Sequence, residues 1–134
     1  ATFDASGNIT AVSDLRAKRN ITPFTDGMAM IRRLAPIRYY WREETGLDEG
    51  RSYVGFGAQD VAPWLPDAVD INRRTGAYSF NPQIVVAALV NAVQALANRL
   101  DDLDGKKEPP ATPRDYAQTI GLNPQKFAQP RTRV

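Results

Sequence analysis

From Val86 to Leu103 the apolar residues recur at steps of three, four, three, four and three: Val86, Leu89, Val93, Leu96, Leu100 and Leu103. That is a heptad seam with Val86, Val93 and Leu100 at a and Leu89, Leu96 and Leu103 at d. A repeat of this period marks helices that wrap around one another. In the first two turns the flanking e and g positions are apolar too, namely Val85, Val90, Ala92 and Ala97. So wide a stripe suits three strands, or a coil whose base is wrapped by other parts of the fold. Valine at a with leucine at d leans towards two strands in simple coils. A helix packed only in its own domain's core is the third possibility. Asn81 and Pro82 supply the cap and first position of this helix.

Upstream the pattern is shorter in period. Phe24, Met28, Ile31 and Leu34 fall at helical spacing, and Thr22-Pro23-Phe24-Thr25-Asp26 reads as the helix start, with Ala35-Pro36 as its stop. Ile37-Arg38-Tyr39-Tyr40-Trp41-Arg42 predicts a strand, and Tyr53-Val54-Gly55-Phe56-Gly57-Ala58 a second one whose glycines suggest close approach by a backbone or ring. Between them lies a polar loop, residues 43–50, whose four acids read as a solvated surface. Gln59-Asp60-Val61-Ala62 predicts a helical turn ended by Pro63. Ala68 to Ile71 and Ala77 to Phe80 predict a hairpin around Asn72-Arg73-Arg74-Thr75-Gly76. Arg73 and Arg74 at its tip read as a solvated turn. Phe3 and Ile9, either side of Ser6-Gly7-Asn8, suggest a hairpin arm too small to fold alone. The expected class is α+β: a small mixed domain of short strands and helices, then a long heptad helix forming a trimeric coiled coil.

Composition changes the picture mainly by exclusion. The 134 residues hold one domain with appendages, and contain no cysteine and no histidine. Disulfides, thiolate catalysis, the commonest general base and the commonest metal ligand are thereby removed. A net charge of +2 gives little field for nucleic acid. No stretch of 18 continuous apolar residues predicts a membrane span, and no signal peptide is apparent at Ala1. A start without methionine suggests a cut from something longer. No metal, cofactor or nucleotide motif is expected. Beyond Gly105, Lys106-Lys107-Glu108-Pro109-Pro110-Ala111-Thr112-Pro113 is a proline-rich linker, followed by a tail to Val134 too sparse in apolar residues to be a domain.

Without histidine or cysteine, hydrolytic chemistry would rest on a hydroxyl or carboxylate, with lysine or carboxylate as base. Lys18 is the only lysine before Lys106; the other basic residues in that span are arginines. Arginine cannot give up its proton in a protein, whereas a desolvated lysine can. Ser13 stands five positions before it. At that spacing the two do not share a face of a helix or strand and meet only if the chain bends. Arg16 and Arg19 are the candidate cationic neighbours that would favour a neutral amine. The plain alternative is a solvated lysine beside an ordinary serine.

The order of the motifs is distinctive. A Ser-Asp-x-Arg-x-Lys box (Ser13 to Lys18) leads to Asn20-Ile21, the segment to Leu34, and Pro36-Ile37-x-Tyr39-x-Trp41. Then come Gly55-x-x-Ala58-Gln59-Asp60-Val61, Leu65-Pro66-x-x-Val69, a strand with Tyr78, and the heptad helix through Leu89, Ala95, Leu96 and Leu103. From about Ser13 to Asp104 this resembles the intramolecular chaperone auto-processing domain at the C-terminus of phage tail spikes, tail fibres and endosialidases, found also in myelin regulatory factor. The resemblance implies a domain that trimerises through its helices, helps an upstream β-rich body fold in register, and cuts itself off without a cofactor. It implies Ser13 as nucleophile, Lys18 as its base, and Val12-Ser13 as the bond cut. Asp60 stands where that family usually carries glutamate, shorter by a methylene.

The expected organisation is residues 1–12 as the end of a fibre body, 13–104 as the auto-processing domain, and 105–134 as linker and tail. The expected partners are two further copies, the fibre body, and a neighbouring virion protein through the tail; neither nucleic acid nor membrane is expected. The expected location is the virion, after assembly in the host cytoplasm. The second reading is a trimeric cap or adaptor that stays on the virion uncut.

Overall fold

Short apolar runs broken by proline and glycine give short elements, and one long uninterrupted run gives one long helix. The computed structural model describes residues 2–3, 9–10 and 13–105. They fall into two compact units, one holding the described residues up to Pro23 and the other those from Phe24 onward.

In the first unit β1 (Thr2–Phe3) pairs antiparallel with β2 (Ile9–Thr10), Phe3 opposite Ile9. This is the pairing expected of the arm. The turn expected at Ser6-Gly7-Asn8, like Val12, lies outside the described residues. Leu15–Ala17 then forms one 3-10 turn.

The second unit is a small mixed domain, consistent with α+β. Its elements are α1 (Met28–Ile31), β3 (Ile37–Tyr39), β4 (Tyr53–Gly55), α2 (Ala58–Val61), β5 (Val69–Ile71), β6 (Tyr78–Phe80) and α3 (Pro82–Leu103). β3 pairs antiparallel with β4, Arg38 opposite Val54 and Tyr39 opposite Tyr53. β5 pairs antiparallel with β6, Asp70 opposite Ser79. The Tyr39 ring stacks on Tyr53 and meets Trp41 edge-on, so the aromatics of the first hairpin pack on each other across its strands.

The helix expected to start near Thr22 begins later and is shorter. Gly27 is the N-cap of α1, with no side-chain cap. The residues before it are held by a tertiary partner instead. Asn91, on α3, donates two hydrogen bonds from Nδ2, to the carbonyls of Phe24 and Asp26, both at 2.8 Å. Those bonds hold the segment without helix. Gly27 allows the close approach: a Cβ there would meet Asn91 Cβ at 3.1 Å.

The strands are also shorter than expected, since Tyr40, Trp41 and the residues after Gly55 fall outside the ladder. Gly55 does lie against a ring, but a Cβ there would sit 3.5 Å from Tyr39 Cε1, an ordinary contact. Gly57 is the tight position: a Cβ there would sit 2.8 Å from Asp60 Oδ2.

The core gathers on α2, the turn after it and one side of α3: Val61, Leu65, Ala68, Val85, Ala88 and Ala92 are buried. Phe24, Ile31, Leu34, Phe56 and Phe80 pack around that cluster. Asn81 caps α3 as its sequence predicts, its side chain accepting from Gln83 N at 3.0 Å, with Pro82 at the first position.

The heptad seam points away from this core. Val86, Leu89, Val93, Leu96, Leu100 and Leu103 are all exposed, Leu103 by 83%. The domain-facing stripe is instead Val85, Ala88 and Ala92, small residues one position over. α3 thus presents two adjacent faces, and packing within its own domain accounts for only one of them. By length and composition α3 is apolar enough to cross a membrane, with 17% of its most apolar window buried. Asn91 on the same helix anchors two loop carbonyls of its own unit.

Candidate active site

The bend that Ser13 and Lys18 need is supplied by the capped turn between them. Asp14 caps the 3-10 turn, its Oδ1 accepting from Arg16 N at 3.0 Å. The turn runs through Leu15–Ala17, and Lys18 ends it by donating its amide to the Leu15 carbonyl. Beyond Arg19 the chain leaves through Asn20 at φ 53°, a left-handed position that asparagine tolerates. The result brings the two side chains together: Lys18 Nζ donates to Ser13 Oγ at 2.9 Å.

That distance serves either protonation state. An ammonium donates to Oγ, while a neutral amine at the same separation accepts the Oγ–H and can remove its proton. Both residues are exposed. Val12, whose carbonyl is the group Ser13 would attack, lies outside the described residues.

Arg16 takes a different role from the one expected. Its Nε lies 2.9 and 3.0 Å from the two Asp14 oxygens and its Nη2 2.6 Å from Oδ2. Its charge is therefore matched by a carboxylate and is not an uncompensated cation beside Lys18. The Arg16 side chain, and then its backbone N–H, hold the Asp14 carboxyl below the usual carboxylate range, with the Lys18 charge a smaller contribution. Asp14 pulls Arg16 upward in turn. The sequence carried a signal for this clasp, an aspartate before a turn with arginine two positions on, but two charges so close in sequence read equally well as solvated. The Asp14-Arg16 pair is what shapes the loop carrying Ser13 and Lys18.

The second specific motif, Gly55 to Val61, forms the end of β4 and all of α2 in the other unit. Asp60 is exposed and turns back over Gly57 in the first turn of its own helix, where an acid suits the helix dipole. Among the described residues no group of acidic side chains is arranged to hold a metal ion.

Comparison with known proteins meets this geometry at its first residue. A family model described as "chaperone of endosialidase" matches residues 13–70, starting at Ser13 and running through the Asp14-Arg16 clasp, both strands of the first hairpin and α2. The chain is also 28% identical over 102 residues to the long tail fiber protein Gp37 of Enterobacteria phage K3, and equally to that of Enterobacteria phage T2. Those alignments cover 74% of this chain but only 8% of each relative. The motifs that run from the Ser-Asp-x-Arg-x-Lys box to Val69 thus fall within the stretch, residues 13–70, that the chaperone-of-endosialidase family model matches.

Proposed function

We propose that this chain is the terminal chaperone of a phage tail fibre: it trimerises through α3, sets an upstream fibre body in register, and frees itself by cutting Val12-Ser13. The observation that carries the chemistry is the 2.9 Å contact of Lys18 Nζ with Ser13 Oγ. The family match and the tail-fibre relatives support the setting. The exposed heptad seam supports association with further copies. Val85 and Ala92, the g positions, are covered by the chain's own domain, while Val90 at e is half exposed. That cover supports, among the three arrangements, a coil whose base is wrapped by its own fold.

In the proposed step Ser13 Oγ attacks the carbonyl carbon of Val12 while its proton passes to a neutral Lys18 amine. The C–N bond breaks, the Ser13 nitrogen takes a proton and becomes an amine, and the Val12 acyl group rests on Oγ as an ester. Water then hydrolyses the ester, leaving a Val12 carboxylate and a free Ser13 hydroxyl. Each chain reacts once, and no cofactor takes part.

One observation favours the second reading, a cap retained on the virion uncut. A lysine acts as a base when it is desolvated, and Lys18 and Ser13 are both exposed in the single chain. Under the first reading, cover comes from neighbouring chains in the assembled fibre. The intact mass of the expressed full-length fibre separates the two: a product beginning at Ser13 supports release, and a single uncut chain supports the cap.

A further inference from the structure

The two flanks of the exposed seam differ in charge near its C-terminal end. Arg99 occupies a g position and Asp104 the e position of the next heptad, five residues on. In a parallel coiled coil, g of one helix faces that e position of its neighbour. Among the described residues neither is held in an ion pair, and both are exposed. Arg99 does not stand alone: with Arg32, the C-cap of α1, it lines a shallow concavity of about 320 Å³ beside Met28, Ala29 and Ala95. One flank of α3 is therefore basic, built from two elements. The other carries Asp104, with Asp101 one turn earlier on the same side.

We infer that the flanks meet between copies, with Arg99 of one chain pairing with Asp104 of the next and so fixing the axial register of three parallel helices. The occupant of the basic concavity is the acidic helix end of a second copy of this chain. The inference rests on the trimer reading and adds to it the register of the helices and the residues that set it. A contact of one flank with the opposite flank is heterologous, and around a three-fold axis it closes into a ring. The apolar seam alone does not choose a register, because Val and Leu pack on Val and Leu one heptad along as well.

Charge reversal tests this in the 134-residue chain, by sedimentation equilibrium at low salt. Arg99→Asp and Asp104→Arg should each raise the trimer dissociation constant by about tenfold or more, and the double variant should restore it to within about threefold. Asp104→Arg is the sharper single variant. A cation at a helix C-terminus improves the isolated helix, so a weaker trimer cannot be blamed on a weaker helix. Because the chain has no cysteine, Leu103→Cys then reports register: oxidation should link copies whose residues 103 lie level with one another. A trimer that tolerates both reversals, or that gives no cross-link, overturns the inference and leaves the trimer standing. A wild-type monomer overturns both.

Discussion

Lys18 Nζ lies 2.9 Å from Ser13 Oγ across a loop clasped by Asp14 and Arg16. A hydrogen bond of this length is within reach for proton transfer, and a purely structural contact would look the same. Lys18→Arg separates the two roles. Arginine keeps the positive charge and can still donate to Oγ, but it cannot become neutral. The variant should fold with an unchanged circular dichroism spectrum while cleavage slows by about 100-fold or more. Cleavage at the wild-type rate would mean that Lys18 is not the base.

The clasp itself predicts a pH dependence. The folded Asp14 carboxyl titrates below the usual carboxylate range because Arg16 holds its anion. Its contribution to the loop is therefore complete above the ordinary value for an unfolded aspartate, and is lost as the pH falls through the lowered folded value. A carbon-detected NMR titration should give Asp14 a midpoint below 3.8, with the Arg16 amide shifting in step. Since the pair is exposed, added salt should move the midpoint back towards the ordinary value. A midpoint at or above the ordinary value would show that the clasp is absent in solution.

Asn91 predicts a stability effect in the second unit. Asn91→Ala leaves the Phe24 and Asp26 carbonyls without their donor and should cost about 1–3 kcal/mol in denaturant unfolding. Asn91→Asp should cost more at neutral pH, where a carboxylate would face two carbonyl oxygens. Part of that loss should return on acidification, as the protonated acid regains one donor. Equal stability of wild type and both variants would show that these two bonds do not hold the segment before α1.

The exposed seam predicts a separation between folding and association. Leu96 is 48% exposed, so in an isolated chain Leu96→Asn should change stability by no more than about 0.5 kcal/mol. If α3 packs on other copies, the same change removes a d-position contact from every interface. Sedimentation should then show dissociation, and the melting temperature should lose its dependence on concentration. An unchanged mass and melt would remove the seam's role.

These residues also show what was legible in the sequence. The seam, its Asn81-Pro82 start, the three short pairings and the Ser-Asp-x-Arg-x-Lys box depend on local spacing, which the chain displays directly. The start of α1 was not legible, because it is set by Asn91, more than sixty residues away. A polar residue within a helix gives no sign of which carbonyls it will meet. The side of α3 that faces the core was equally hidden: Val85 and Val86 are alike in the sequence, yet one is 6% and the other 49% exposed. Only the shape of the rest of the domain decides between them. In the candidate site, the spacing of Ser13 and Lys18 required a bend, but the Asp14-Arg16 clasp that accompanies it was open to a blander interpretation.

The most direct test is the intact mass of the expressed full-length fibre, wild type beside Ser13→Ala and Lys18→Ala. Self-release predicts that the wild type yields two fragments, the smaller beginning at Ser13, while both variants remain a single uncut chain. One uncut mass for all three proteins, or cleavage that persists without the Ser13 hydroxyl, would contradict it.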